Sequence, residues 1–122
     1  MSKSNTTEND ILKAMLQGTD PAWRAGATIY LALYTADPGA AGTAITNECA
    51  YGSYARVAIT KATGWTDSGS TFTNSGLLQF PECTSGTETI THCGLVTTAS
   101  GAGQLVISGA LTASRSVSSG IQ

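Results

Sequence analysis

The residues of this 122-residue chain best equipped for chemistry are one histidine, three cysteines and eight carboxylates. Nucleophilic catalysis needs a Ser or Cys beside a base that a third group orients. His92 and Cys93 are neighbours in a stretch that reads as a strand, so their side chains diverge to opposite faces and form no dyad. A zinc site needs several converging His, Cys or carboxylate ligands. Cys49, Cys83, Cys93 and His92 lack metal-type spacing, and three reduced thiols fit synthesis in a cytoplasm. The carboxylates Glu8, Asp10, Asp20, Asp37, Glu48, Asp67, Glu82 and Glu88 fall mostly in expected loops. They read as solvated charge, and nothing nominates a glycosidase-like pair among them.

Other motifs give the same answer. The glycines of GAAGT and SGAGQ lack a following Lys-Ser/Thr and lie between expected strands, not at a helix N-terminus, so they read as turns. Tyr30, Tyr34, Tyr51, Tyr54, Trp23 and Trp65 could form a sugar-stacking surface, but strand-spaced aromatics in a small β-domain read first as packing. The expectation is a non-enzymatic protein with no catalytic, cofactor-binding or metal site.

Composition narrows the remaining classes. Charged residues make up 11%, the net charge is −2, and Ser and Thr fill about a quarter of the chain. An average soluble domain is about 25% charged, so hydroxyls and backbone supply the polarity here, as suits β-structure partly covered by neighbours. The six basic residues are scattered and form no stripe for phosphates or anionic lipid. No apolar run approaches the roughly 20 residues of a membrane helix, and MSKSNTTEND has no apolar signal core. Neither nucleic acid nor a membrane is expected as a partner.

Periodicity then gives the elements. Residues 1–27 read as an arm and a short helix, and residues 28–122 as one β-domain. Met1 to Glu8 should have no fixed structure. Asn9 is placed to N-cap about two helical turns, with Asp10 in the first turn and Gly18 and Asp20-Pro21 as the stop. Ile11, Leu12, Met15 and Leu16 make one apolar stripe. So short a helix does not stand alone, and its stripe is the candidate subunit interface, or else packs on its own domain.

Thr28 to Tyr34 is apolar on both faces, as in a central strand. Asp37-Pro38-Gly39 marks a turn within the long loop from Ala36 to Asn47. Tyr54 to Thr60 alternates, with Ala55, Val57 and Ile59 inward and Arg56 opposite. Trp65-Thr66 and Thr71-Phe72 flank a hairpin turn at Asp67-Ser68-Gly69-Ser70. Leu77 to Phe80 reads as a strand stopped by Pro81, and Thr87 to Thr97 as the longest strand, bulged at Gly94. After a turn at Ser100 to Gly103, Gln104 to Leu111 and a segment from Val117 to Gln122 complete the set. Six to eight short strands without βα alternation predict an all-β antiparallel sandwich, jelly-roll-like, with a short N-terminal helix and arm.

The stretch from Ile29 to Thr60 is similar to small virion structural proteins of tailed bacteriophages. In these an apolar strand runs into TADPG (Thr35 to Gly39), then AGT (Ala41 to Thr43), then an aromatic block ending in Tyr-Ala-Arg-Val (Tyr51 to Val57). Phe80-Pro81, TITHCGL (Thr89 to Leu95) and ASGAGQLVISGALTAS (Ala99 to Ser114) follow in the same order, so the resemblance covers Leu31 to Ile121. It implies a virion protein made in the bacterial host cytoplasm. Its first reading is a capsid decoration, or cement, protein that binds the major capsid protein and self-associates as a trimer or dimer. The alternative is a tail or fibre-associated protein, with host-glycan binding as one role. A small hydrolase is the third class, disfavoured by the missing constellation. The resemblance also implies a closing strand beyond Gln122.

Overall fold

A computed structural model describes residues 2–69 and 71–119. Its strands are all antiparallel. β1 (Ser2–Lys3), α1 (Asn5–Gln17) and a 3-10 turn (Ala22–Arg24) precede β2 (Thr28–Tyr34), β3 (Val57–Thr60), β4 (Trp65–Asp67), β5 (Phe72–Asn74), β6 (Glu88–Val96) and β7 (Leu105–Val117). Five strands form one sheet in the order β1-β7-β6-β2-β3, and β4-β5 is a separate hairpin. The all-β antiparallel reading holds. The described strands do not complete a second large sheet over the first, so a jelly roll is not what they make.

β2 lies inside the sheet, as its two apolar faces require. Tyr30, Ala32 and Tyr34 point to one face and join Val96, Leu105 and Ala44 in the upper core. The loop after β2 closes over this face. Tyr34 Oη donates to the Ala44 carbonyl at 2.9 Å, and Ala44 N–H donates to Gly103 O at 3.1 Å. A lower core gathers Cys49, Tyr51, Cys83, Ile90 and Val117, with Leu33, Tyr54 and Leu111 packed against it.

The N-terminal segment differs from its expected form. Ser2 and Lys3 pair with Ser108 and Ile107 of β7, and Asn5 N–H donates to Ala40 O at 2.8 Å, so these residues are docked. The cap is Ser4, whose hydroxyl accepts from Thr7 N–H at 3.2 Å, and helix begins four residues before Asn9. Asn5, Thr6, Thr7 and Asn9 are poor helix formers, and burial of Thr7 decides the matter. The C-terminal stop is where expected: Gly18 takes a left-handed φ of 66° and its N–H reaches Lys13 O.

Elsewhere the differences have local causes. β3 starts only at Val57 because Tyr54 N–H donates to Tyr51 O in a turn that gives Ser53 a φ of 73°. Leu77 to Phe80 is not a strand. Its backbone has no ladder partner among the described residues, and Asn74 Nδ2 closes a turn onto Gly76 O. β7 is longer than expected and runs to Val117, but Thr91 alone on β6 faces residues 111–114, so the ladder slips just at Leu111, the expected strand end. Of the segment expected from Val117 to Gln122, Val117 ends β7, Ser118 and Ser119 are not strand, and 120–122 lie outside the described residues. The expected β4-β5 hairpin is present, with Ser68 N–H donating to Thr71 O; Ser70 of its turn is also outside the description.

Gly94 is not at a bulge. It pairs regularly with Ala32 and Ser108. A Cβ there would lie 2.8 Å from Leu105 Cδ1, 3.0 Å from Ile107 O and 3.1 Å from Tyr34 Cε2. Gly94→Ala should therefore overpack the upper core and cost about 1–3 kcal/mol, read as a lowered thermal midpoint; an unchanged midpoint would contradict this packing.

Candidate functional site: a buried clamp and two open apolar surfaces

The most elaborate polar constellation surrounds Arg56. The loop after β2 returns alongside that strand: Glu48 bridges to Tyr34, and Cys49 N–H donates to Leu33 O at 2.9 Å. This carries the Glu48 carboxylate beneath the sheet end. Arg56 Nε donates to Glu48 Oε2 at 2.7 Å and Nη2 to Oε1 at 2.8 Å. Nη1 donates to Thr98 O (2.9 Å) and Thr98 Oγ1 (3.0 Å), and Nη2 to Gly101 O (2.8 Å). All five guanidinium donors are thus satisfied. Tyr54 Oη donates to Glu48 Oε2 at 2.7 Å and accepts from Leu33 N–H at 3.1 Å. The side chains of Arg56 and Glu48 are only 2% and 12% exposed. The clamp ties the loops after β2 and β6 to the block just before β3.

Its electrostatics suit structure. The hydrogen bond to Glu48 outweighs desolvation and raises the Arg56 pKa. Burial, then the Glu48 hydrogen bond, pushes the Tyr54 hydroxyl far above the usual phenol range; burial and Glu48 do the same to Tyr34. Burial, then the Glu88 and Glu48 charges, pushes the Cys49 thiol up to about 12. The two phenols and the thiol are neutral in the fold, whereas the unfolded chain ionises at its ordinary values. Their stabilisation is full below about pH 9 and is lost as pH rises towards 12, by on the order of 1 kcal/mol per pH unit for each group. Denaturant midpoints from pH 8 to 11 should fall steadily above 9; a flat profile would contradict the burial of these groups.

The carboxylates are less solvated than their sequence context suggests. Besides Glu48, Glu88 accepts from Ala50 N–H at 2.6 Å. Asp10 accepts from Trp23 Nε1 (3.1 Å) and Gln104 Nε2 (3.0 Å), fastening α1 to the β6-β7 loop. Asp37 Oδ1 accepts from Gly39 N–H in the expected turn. Asp20 pairs with Arg24 at the surface, and Glu8, Asp67 and Glu82 are exposed. Among the described residues no three His, Cys, Asp or Glu converge to hold a metal, and no helix is long and apolar enough to cross a membrane.

The remaining candidates are dispersed. His92 is half-buried, its Nδ1 2.8 Å from Thr91 Oγ1, and it lines a cavity of about 300 Å³ with Lys3 and Asp37. Cys49 and Cys83 are buried, Cys93 is half-buried, and all three are free thiols. The SGAGQ glycines do not cradle a phosphate; they turn the Gly101 and Gly103 carbonyls towards Arg56 and Ala44. Aromatic packing dominates below, where Tyr54 meets Tyr51 edge-on and stacks on Phe80.

Reading the sequence missed the clamp. Arg56 was placed on the face opposite Ala55, Val57 and Ile59 and given no partner, yet it is buried while Ala55 is exposed. The available signal was a lone arginine beside an aromatic in a chain nearly devoid of charge, eight residues after a glutamate.

Two apolar surfaces lack partners among the described residues. On α1, Ile11 is half-buried, but Leu12, Met15 and Leu16 are 51%, 69% and 76% exposed. The helix is held by Thr7 and Asp10, leaving the predicted stripe open. The second surface is on the sheet face of Leu31 and Leu33. Two cavities of about 470 and 450 Å³ meet at Leu78; Leu33, Phe80 and Leu111 line the first, Leu31, Trp65 and Leu95 the second. Leu77, 88% exposed, and Phe72, 62% exposed, stand at the rims.

Comparison with curated proteins gives no match. Comparison with protein families does, over residues 2–122: the match is to the podophage GP4 fiber I protein gp80. A β-built chain with a buried clamp, and matched over essentially its whole length, belongs to this family of structural proteins of the tailed-phage virion.

Proposed function

We propose that the chain is a non-enzymatic, fibre-associated component of the virion that works by self-association, without metal or cofactor and without contacting nucleic acid or membrane. The observation that carries this is the fibre-protein match across residues 2–122. It favours the tail or fibre alternative over the decoration of the head that the sequence put first. The exposed Leu12, Met15 and Leu16 support α1 as a subunit contact. An obligate interface is apolar at its centre, and an open patch rimmed by polar residues marks an interaction site.

Phage particles produced with the Leu12→Asp/Leu16→Asp chain provide the test. Such particles should lose the protein and their fibres while their heads retain DNA on heating as well as the parent's do. Particles that instead keep their fibres but leak DNA would favour head cement and overturn the fibre reading.

A further inference from the structure

α1 and the larger of the two cavities lie towards opposite ends of the sheet. α1 is fastened at the end where β6 turns into β7, through Gln104 and Trp23. The larger cavity lies at the other end, lined by Leu33, Ile90, Leu111 and Arg115, with Leu77 and Phe80 on its far wall. No residue of α1 lines either cavity in its own chain.

We infer that α1 of one copy docks into this groove of the next, a head-to-tail contact between identical chains. This contact deepens the proposal that α1 is a subunit contact and rests on it. Leu12, Met15 and Leu16 present the i, i+3, i+4 anchors of a helix-in-groove interaction. Glu8 lies on the same face, one turn before Leu12. It is exposed, and it has no ion pair among the described residues. Arg115 is likewise exposed and unpaired among the described residues, and it lines the groove. In a chain with only six basic residues, an acid beside the apolar ridge and a base beside the apolar groove make the two surfaces complementary in charge as well as polarity. Two different patches in contact are heterologous, so the contact closes into a ring or runs on as a stack, and its direction follows the long axis of the sheet.

The test compares the solution mass of the full chain with that of Leu16→Asp and Leu77→Asp. Both positions are exposed in the single chain, so both variants should fold, which circular dichroism checks. The parent should exceed monomer mass with rising concentration, and each variant should be monomeric. An equimolar mixture of the two variants should return to dimer mass and go no further, because each retains the surface the other has lost. A parent that stays monomeric would overturn the inference. So would a Leu77→Asp chain that assembles like the parent while Leu16→Asp does not; that result would leave α1 as a contact and remove only the groove as its partner.

Discussion

Arg56→Ala is expected to destabilise the fold by about 3–5 kcal/mol, because it leaves the Glu48 carboxylate buried without its countercharge. The loss is larger than for a surface pair, which contributes about 0–1 kcal/mol, since Arg56 and Glu48 are both nearly inaccessible. The Thr98 and Gly101 carbonyls and the Tyr54 hydroxyl lose a partner or its support in the same step. Arg56→Lys should recover little, as an ammonium cannot reproduce the bidentate fork. The double replacement Arg56→Met/Glu48→Leu should cost less than Arg56→Ala, because no unpaired charge remains. Urea denaturation of the three variants measures this. Costs below about 1 kcal/mol for Arg56→Ala would mean that the clamp is not closed in solution.

Tyr34→Ala should have a comparable effect. Tyr34 is fully buried at the centre of the upper core, and removing a large core aromatic costs about 3–5 kcal/mol. Tyr34→Phe separates packing from polarity. It keeps the ring and removes only the bond to the Ala44 carbonyl, at a cost of about 1 kcal/mol. A Phe variant as unstable as the Ala variant would show that the hydroxyl, not the ring, holds the loop down. In neither case should α1 lose its exposed stripe, since its side-chain anchors are Thr7 and Asp10 on Gln104 and Trp23.

What the sequence made legible follows from where the information lay. β2 and β6 were readable because their runs of strand formers are bounded by turn residues, and the Asp37 and Ser100 turns because Asp, Pro and Gly report directly on backbone conformation. The stripe of Ile11, Leu12, Met15 and Leu16 was readable from spacing alone. The start of α1 was not. Asn5 to Asn9 are polar, and their helix depends on contacts to Ala40 and Gln104, far away in sequence. Gly94 shows the same limit from the other side: a glycine in a strand suggests a bulge, yet its purpose is room for Tyr34 and Leu105. Alternation alone gives Arg56 no partner, because Glu48, Thr98 and Gly101 reach it only from loops distant in sequence. The Thr35 to Val57 block that carries the family resemblance also holds Glu48, Tyr54 and Arg56, and the physical role of those residues became visible only once the loops had closed.

The clamp and the cores tie a small sheet together, while α1 and the groove leave apolar surface exposed, the surface proposed above for assembly. The place of that assembly on the particle is the central claim, and a cryo-electron microscopy reconstruction of the virion tests it most directly. Density fitting the five-stranded sheet with α1 at one end should be found in the fibre apparatus at the tail. The same density tiling the faces of the head would contradict the account.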